Sequence, residues 1–415
     1  MFGLDFWTGR LVSILGFTAF CVVVFHSVRS GVTSRLTGVA LGVIAIATVA
    51  IGFPVVGGWY DLARVDSAYV GLCAVGAWGV SAARYTVRRM VIIAAVLTLA
   101  IYTKQTAALF AIWIVVFAMV RNWRKGLLLG ALTLAACAVA LVFWQWRSGG
   151  YFWHWIFGTM ASHEIRTPRI WQGAKLIHGF APFAVLIPLA AAILMWRRWL
   201  GRHSVLWLGM LVCALPASVV PYAKVGGYLN NLMPAVMLAG PVAILLATDL
   251  IRQGRGSQPV LWATLALAAV WIWNRPMDPA DFVPSQEMQE HAVALNEFIA
   301  SVDGSVSIPH LPFLAIRNGH EDVQWHISGY RDMDVAHRPY DIDRTLERVN
   351  AEWLILPSRD HTKLARTLRA RYHFVRKISA DKRVGMMTGY QVVLDQLYRR
   401  RAPMPTDLGT RAASP

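Results

Sequence analysis

Acidic residues are nearly absent from the first two-thirds of this chain. Residues 1–275 hold 5 Asp+Glu against 22 Lys+Arg, whereas residues 276–415 hold 18 of each. The formal net charge of +17 therefore lies wholly in the N-terminal part. Charged residues are scarce overall, 15% of 415, against 56% hydrophobic ones. Ordinary soluble domains carry roughly 25% charged residues, so a soluble globular protein is excluded, as is a disordered chain. A nucleic-acid binder is excluded by where the base sits: it punctuates the apolar part, as basic loops punctuate a multipass membrane protein. Cysteine is scarce too. Cys21, Cys73, Cys137 and Cys213 each fall in an apolar stretch without CxxC or other metal spacing. They read as small packing residues, and the polar tail has no disulfide. No internal repeat of fixed period and no low-complexity tract occurs.

What is present is a series of apolar runs. A spanning helix needs roughly 20 apolar residues, with ~17 as a lower limit. Ten candidates stand out: 11–28, 36–57, 68–83, 90–102, 107–120, 126–146, 176–196, 204–222, 231–248 and 258–274. Runs 90–102 and 107–120 are short alone. They read as two helices extended into flanking residues and joined by an outer turn, Tyr102-Thr103-Lys104-Gln105-Thr106. One span across both would bury Lys104 at a cost of about 2.5–3.5 kcal/mol or more. Five alternate loops hold 13 Lys+Arg and no acid: Arg29 and Arg35; Arg84, Arg88 and Arg89; Arg121, Arg124 and Lys125; Arg197, Arg198 and Arg202; Arg252 and Arg255. The positive-inside rule puts these in the cytoplasm, and ten spans then leave both termini outside.

After Arg275 the composition changes. Pro276, Pro279 and Pro284 mark a linker. Residues 285–302 read as an amphipathic helix, with Met288, Ala292, Leu295, Phe298 and Ile299 at helical spacing. Strand-like runs follow at 305–308, 353–356, 372–378 and 390–394, with helical segments at 341–349 and 362–370. The domains expected are thus a multipass membrane domain over 1–275, a small α/β extracytoplasmic domain over 276–398, and a disordered tail over 399–415.

The outer loops carry the informative polar residues. Trp59-Tyr60-Asp61-Leu62-Ala63-Arg64-Val65-Asp66-Ser67 places two carboxylates and an arginine at a membrane boundary, where charge is costly unless paired or hydrated. Asp66 opens the next helix, whose dipole favours its ionised form. It is read as a carboxylate facing a polar cavity, against the plainer reading of a helix cap paired locally with Arg64. Lys104 can bind a phosphate as a point charge or simply snorkel to the interface. The long loop 147–175 opens with an aromatic run, Tyr151 to Phe157, suited to the headgroup layer. His163, Glu164, Arg166 and Arg169 follow it, and the His-Glu pair is compatible with acid/base or metal work or with a plain surface pair. Lys224, Tyr228, Asn230 and Asn231 precede the span 231–248, where the asparagines can cap the helix or hydrogen-bond a sugar or phosphate. Basic groups at this interface suit a lipid-anchored phosphate; carboxylates suit activation of a hydroxyl. No metal ligand set stands out, and Asp61, Asp66, His163 and Glu164 are the candidate ligands should a divalent cation bind.

Three segments, Tyr60-Asp61-Leu62-Ala63-Arg64-Val65-Asp66-Ser67, Leu99-Ala100-Ile101-Tyr102-Thr103-Lys104-Gln105-Thr106 and Gly227-Tyr228-Leu229-Asn230-Asn231-Leu232-Met233-Pro234, resemble bacterial membrane glycosyltransferases of family 39. Their order and spacing across 1–275 match as well. Those enzymes have the type C fold and include dolichyl-phosphate-mannose protein mannosyltransferase-like and aminoarabinose-transferase-like members. The tail resembles their periplasmic domains only loosely. The resemblance implies a polytopic α-helical protein of the bacterial inner membrane, with its C-terminal domain on the periplasmic or extracellular side. It implies inverting transfer of a sugar from a polyprenyl-phosphate donor to a periplasmic lipid, glycan or protein acceptor. Asp66, with Asp61, would be catalytic. Arg64, Lys104, Arg166 and Arg169 would hold the donor phosphate and lipid. His163, Glu164, Tyr228 and Asn230 would contact acceptor or sugar. Family members begin with a further helix and an outer loop bearing the main catalytic carboxylates. Here Trp7-Thr8-Gly9-Arg10-Leu11-Val12 resembles the start of their second helix, and Asp5 lies too near the span to substitute. The expectation is a truncated or late-started reading frame whose activity is thereby in question. The competing reading is a non-catalytic membrane protein or a transporter of a lipid-linked saccharide. Transporters often show paired, interrupted helices in two related halves; no such symmetry is found.

Overall fold

The computed structural model describes residues 6–82, 84–182, 200–252, 257–275, 277–335, 341–358, 363–384 and 392–401. It falls into two compact units, Met1–Asp278 and Pro279–Pro415.

The first unit is helical: α1 (Phe6–Ser30), α2 (Arg35–Ala50), α3 (Asp66–Ser81), α4 (Val87–Thr103), α5 (Ala107–Arg121), α6 (Trp123–Arg147), short turns α7 (Tyr151–Trp153) and α8 (Met160–Ser162) flanking a π-helical turn (His154–Thr159), then α9 (Thr167–Phe180), α10 (Arg202–Ala223), α11 (Met233–Arg252) and α12 (Ser257–Trp273). Ser34, Thr86 and Asn122 start α2, α4 and α6 by accepting a hydrogen bond from the N–H three residues on, which satisfies a donor the helix itself leaves unpaired. Among the described residues, four helical stretches are long and apolar enough to cross a membrane: Trp7–Ser30, Trp123–Arg147, Arg202–Ala223 and Leu229–Arg252. Along α6, Leu134, Val139, Val142 and Trp146 are exposed, an apolar face suited to lipid rather than water.

Helices α1 and α3 meet backbone to backbone. A Cβ on Gly71 would lie 2.2 Å from Gly16 O, and one on Gly16 would lie 2.5 Å from Ala68 Cα. Small residues let helices approach this closely. The contact fixes the start of α3, and so Asp66, against α1.

The structure differs from the sequence reading at several places. Residues 36–57 do not form one span: α2 ends at Ala50, and the chain turns through Gly57 and Gly58 at φ +68° and +70°, values that glycine adopts without strain. The loop 147–175 is largely helical, since α9 starts at Thr167 with Pro168 in its first turn. The expected span 176–196 lies outside the described residues beyond Pro182, as does Asp5. The turn at Lys104 is present: Lys104 is extended (φ −156°) between α4 and α5.

The second unit has a four-stranded sheet of order β1-β2-β4-β3, from Val306–Ser307, Trp353–Leu356, Tyr372–Lys377 and Gln396–Arg400. β1 is parallel to β2; β4 is antiparallel to β2 and β3. The period of two along β2 sends Leu354 and Leu356 to one core and Ile355 to another. The first also holds Leu346 of α16 (Ile342–Val349) and Leu368 of α17 (Lys363–Arg371); the second holds Leu295, Phe298 and Ile299 of α13 (Gln286–Ala300). Two further helices, α14 (Pro312–Arg317) and α15 (Ile327–Val335), precede α16. A strand lies at Gln396–Arg400, so Arg399 and Arg400 belong to the sheet and not to the tail; of the expected run 390–394, residues 390 and 391 lie outside the described residues. Leu397 and Tyr398 supply its buried residues, and Arg399 packs over Trp353 while pairing with Glu352. Residues 402–415 lie outside the described residues.

Candidate functional site

Three turns converge on Asp66. The first is the loop leading into α3, which Asp66 opens with 1% of its surface exposed. The second carries Lys104, whose Nζ donates to Asp66 Oδ1 at 2.5 Å and to Asn231 Oδ1 at 3.0 Å. The third is the turn Leu229–Leu232, from which Asn230 Nδ2 donates to Asp66 Oδ2 at 2.9 Å. Lys104 Nζ also lies 5.4 Å from the centre of the Tyr69 ring. Both oxygens of a buried carboxylate are thus satisfied, one by a cation. Without such partners, removing either charge from water costs several kcal/mol. Asp66 also stands in the first turn of α3, at the positive end of that helix's dipole.

Asp61 is not part of this group. It pairs with Arg10, whose Nε also donates to the Asp61 carbonyl at 3.2 Å. Nor does Arg64 pair with either aspartate. Its guanidinium lies 5.0 Å over the Trp59 ring, which meets the Tyr228 ring at 5.8 Å, and its carbonyl accepts from Ser13 Oγ at 2.6 Å. The local Asp–Arg pair that the spacing admits is therefore absent: Asp61 takes its partner from α1, and the Arg64 guanidinium stacks on Trp59 of its own loop.

The remaining sequence candidates form a clasp around residues 223–227. Arg166 N–H donates to the Ala223 carbonyl at 3.0 Å and Val225 N–H to the Glu164 carbonyl at 2.9 Å. His163 Nδ1 lies 3.1 Å from Val225 O. Arg169 donates to the carbonyls of Lys224 (2.9 Å) and Gly227 (2.6 Å) and stacks 4.8 Å over the Tyr222 ring. Lys224 Nζ donates to Met160 O at 2.7 Å, and burial pushes this ammonium below the usual lysine range. The side chains of Glu164 and Arg166 are exposed. Asp61, Asp66, His163 and Glu164 are not gathered for a cation: among the described residues no three His, Cys, Asp or Glu come together as a metal site. An open apolar groove of about 650 Å³ lies elsewhere, along α6 and the following turn, lined by Leu141, Val142, Trp146 and Trp153 among others.

Asp66, Lys104 and Asn230 are thus brought together from the sequence candidates, with Asn231 joining them. Arg10 and Ser13, which fix Asp61 and Arg64, carry no signal in the sequence beyond ordinary polarity.

The sequence matches no protein-family model and no curated protein. Among solved structures it is similar to the crystal structure of ArnT from Cupriavidus metallidurans bound to undecaprenyl phosphate. The TM-score is 0.54 over 97% of this chain and 85% of that one, at 13% identity. At that identity the likeness is one of fold: the chain has a type C membrane glycosyltransferase fold.

Proposed function

We propose that this chain is a multipass inner-membrane glycosyltransferase. It takes a sugar from a polyprenyl-phosphate donor and passes it, with inversion, to an acceptor on the periplasmic face. The observation that carries this reading is the buried Asp66–Lys104–Asn230–Asn231 network, in which a carboxylate and an ammonium share the end of the helices where three turns meet. The ArnT structure of similar fold was determined with undecaprenyl phosphate, which supports a polyprenyl-phosphate partner.

The chemistry follows from the two charges. Lys104 attracts the donor phosphate as a point charge, exchanging Asp66 for a phosphate oxygen. Asp66, released, accepts the proton of an acceptor hydroxyl. The acceptor oxygen attacks the anomeric carbon on the face opposite the phosphate, the carbon–oxygen bond to phosphate breaks, and polyprenyl phosphate leaves with the electron pair. Lys104 stabilises the charge growing there. Asn230 keeps its hydrogen bond to Asp66 and Asn231 its hydrogen bond to Lys104, so both groups stay oriented.

The test is incubation of membranes holding the protein with labelled polyprenyl-phosphate sugars, followed by acceptor analysis. Asp66→Asn and Lys104→Ala each abolish transfer per amount of folded protein, and retained transfer in both would remove these residues from the site. One observation favours a second reading, a non-catalytic membrane protein. Asp66 and Lys104 are paired with each other and with Asn230 and Asn231, as a structural pin would be.

A further inference from the structure

We infer that Arg169 is a positioning residue that holds the 224–227 turn so that Asn230 and Asn231 reach Asp66 and Lys104. Only its kinetic consequence rests on the transferase reading above.

The turn has little to order itself. Gly226 has φ +81° with open space around it, and a Cβ on Gly227 would lie 2.3 Å from Pro221 O and 2.5 Å from Tyr222 O. Both positions therefore require glycine, and glycine contributes no side chain to packing and loses the most freedom on ordering. Order has to come from outside the turn. Arg169 supplies it at three points: the carbonyl of Lys224 at one end, the carbonyl of Gly227 at the other, and the Tyr222 ring beneath. A guanidinium suits this because its donors are fixed in a plane and its face stacks on an aromatic ring. Thr167 and Pro168 start α9 just before it, and Pro pre-sets the first helical turn, so the fork projects from a rigid base. The backbone ladder between 164–166 and 223–225 closes the same clasp from the side. Three residues after Gly227 comes Asn230. A span of three residues reaches at most about 11 Å, so a loosened turn displaces the asparagines directly.

The same contacts argue against Arg169 as a ligand for the donor phosphate. Its paired donors and its ring face are already committed within the protein. Its loss therefore changes the rate of the bound complex and not the affinity for the donor.

The test compares Arg169→Ala and Arg169→Lys in the full chain in lipid nanodiscs, with Lys175→Ala, exposed on the same helix, as the control for loss of charge. Amide hydrogen exchange over 223–232 is expected to rise about tenfold or more in Arg169→Ala, while α3–α5 and α13 keep wild-type rates. Arg169→Lys falls between, because one ammonium cannot replace a planar fork; it carries the test if the alanine variant folds poorly. In the transfer assay kcat falls about tenfold to a hundredfold, the scale of a displacement near 1 Å, with KM for the donor unchanged. Wild-type exchange over 223–232 in both variants would overturn the inference. So would a raised KM with kcat retained, which would make Arg169 a donor ligand. A wild-type protein that transfers no sugar defeats the functional reading alone; the exchange result still decides this one.

Discussion

At the scale of single residues, the Asp66–Lys104 pair makes its two readings separable. Asp66 is 1% exposed and Lys104 15%, so removing one partner leaves the other's charge stranded. Lys104→Ala strands the deeper charge and is expected to cost about 3–5 kcal/mol of stability, whereas replacing both partners by neutral groups of similar volume costs far less. The double variant Asp66→Asn with Lys104→Met therefore recovers most of the lost thermal stability in detergent while transfer stays absent. Wild-type transfer by that double variant would mark the pair as structural. The sequence made Asp66, Lys104 and Asn230 visible one at a time, because a polar residue at the end of an apolar run is a local signal. Which of them touch was not visible. They are separated by 38 and 164 residues, and nothing local encodes such a contact. For the same reason Asp66 and Arg64 looked like partners by spacing, yet Arg64 lies over the Trp59 ring and Asp66 is held by Lys104, 38 residues away.

At the scale of elements, the crossing of α1 and α3 sets where the carboxylate stands. A methyl on Gly71 would sit 2.2 Å from a backbone oxygen of Gly16, and backbone cannot swing aside as a side chain can. Gly71→Ala is expected to force the helices apart at a cost of about 1–3 kcal/mol, lowering Tm and, since Asp66 heads α3, lowering transfer with it. Gly179→Ala meets nothing within 4 Å and leaves Tm unchanged or slightly raised. Equal effects of the two would show that the α1–α3 contact is unimportant. Helices were legible wherever an apolar run had clear ends, as for α4, α5 and α6. Their limits failed where special backbone intervened, at Gly57 and Gly58 after α2 and at the Pro168 start of α9. The strand Gln396–Arg400 was missed because Val392 and Leu394 are buried without pairing in the sheet, while Leu397 and Tyr398 pair despite the arginines beside them. Hydrophobicity reports burial, not hydrogen-bond register.

For the whole molecule, the question is which side of the membrane faces the Asp66 network. Inside the helical unit the geometry is definite. Arg121 donates to the carbonyls of Val80 and Ala82, so the basic turns after α3 and α5 share one end of the bundle. α3 starts at Asp66 and ends at Ser81, while α4 starts at Val87 and ends beside Lys104; the network therefore occupies the opposite end. Lys and Arg in short loops bias those loops to the cytoplasm, and the turns 82–89 and 121–125 hold Arg84, Arg88, Arg89, Arg121, Arg124 and Lys125 without an acid. On that bias we propose that Asp66 and Lys104 face outward. Alkaline phosphatase, active only outside the cytoplasm, fused after Asn122 is expected to be inactive. The same fusion after Gly226 is expected to be active. Activity after Asn122 with none after Gly226 would invert the bundle and move the donor requirement to the cytoplasm.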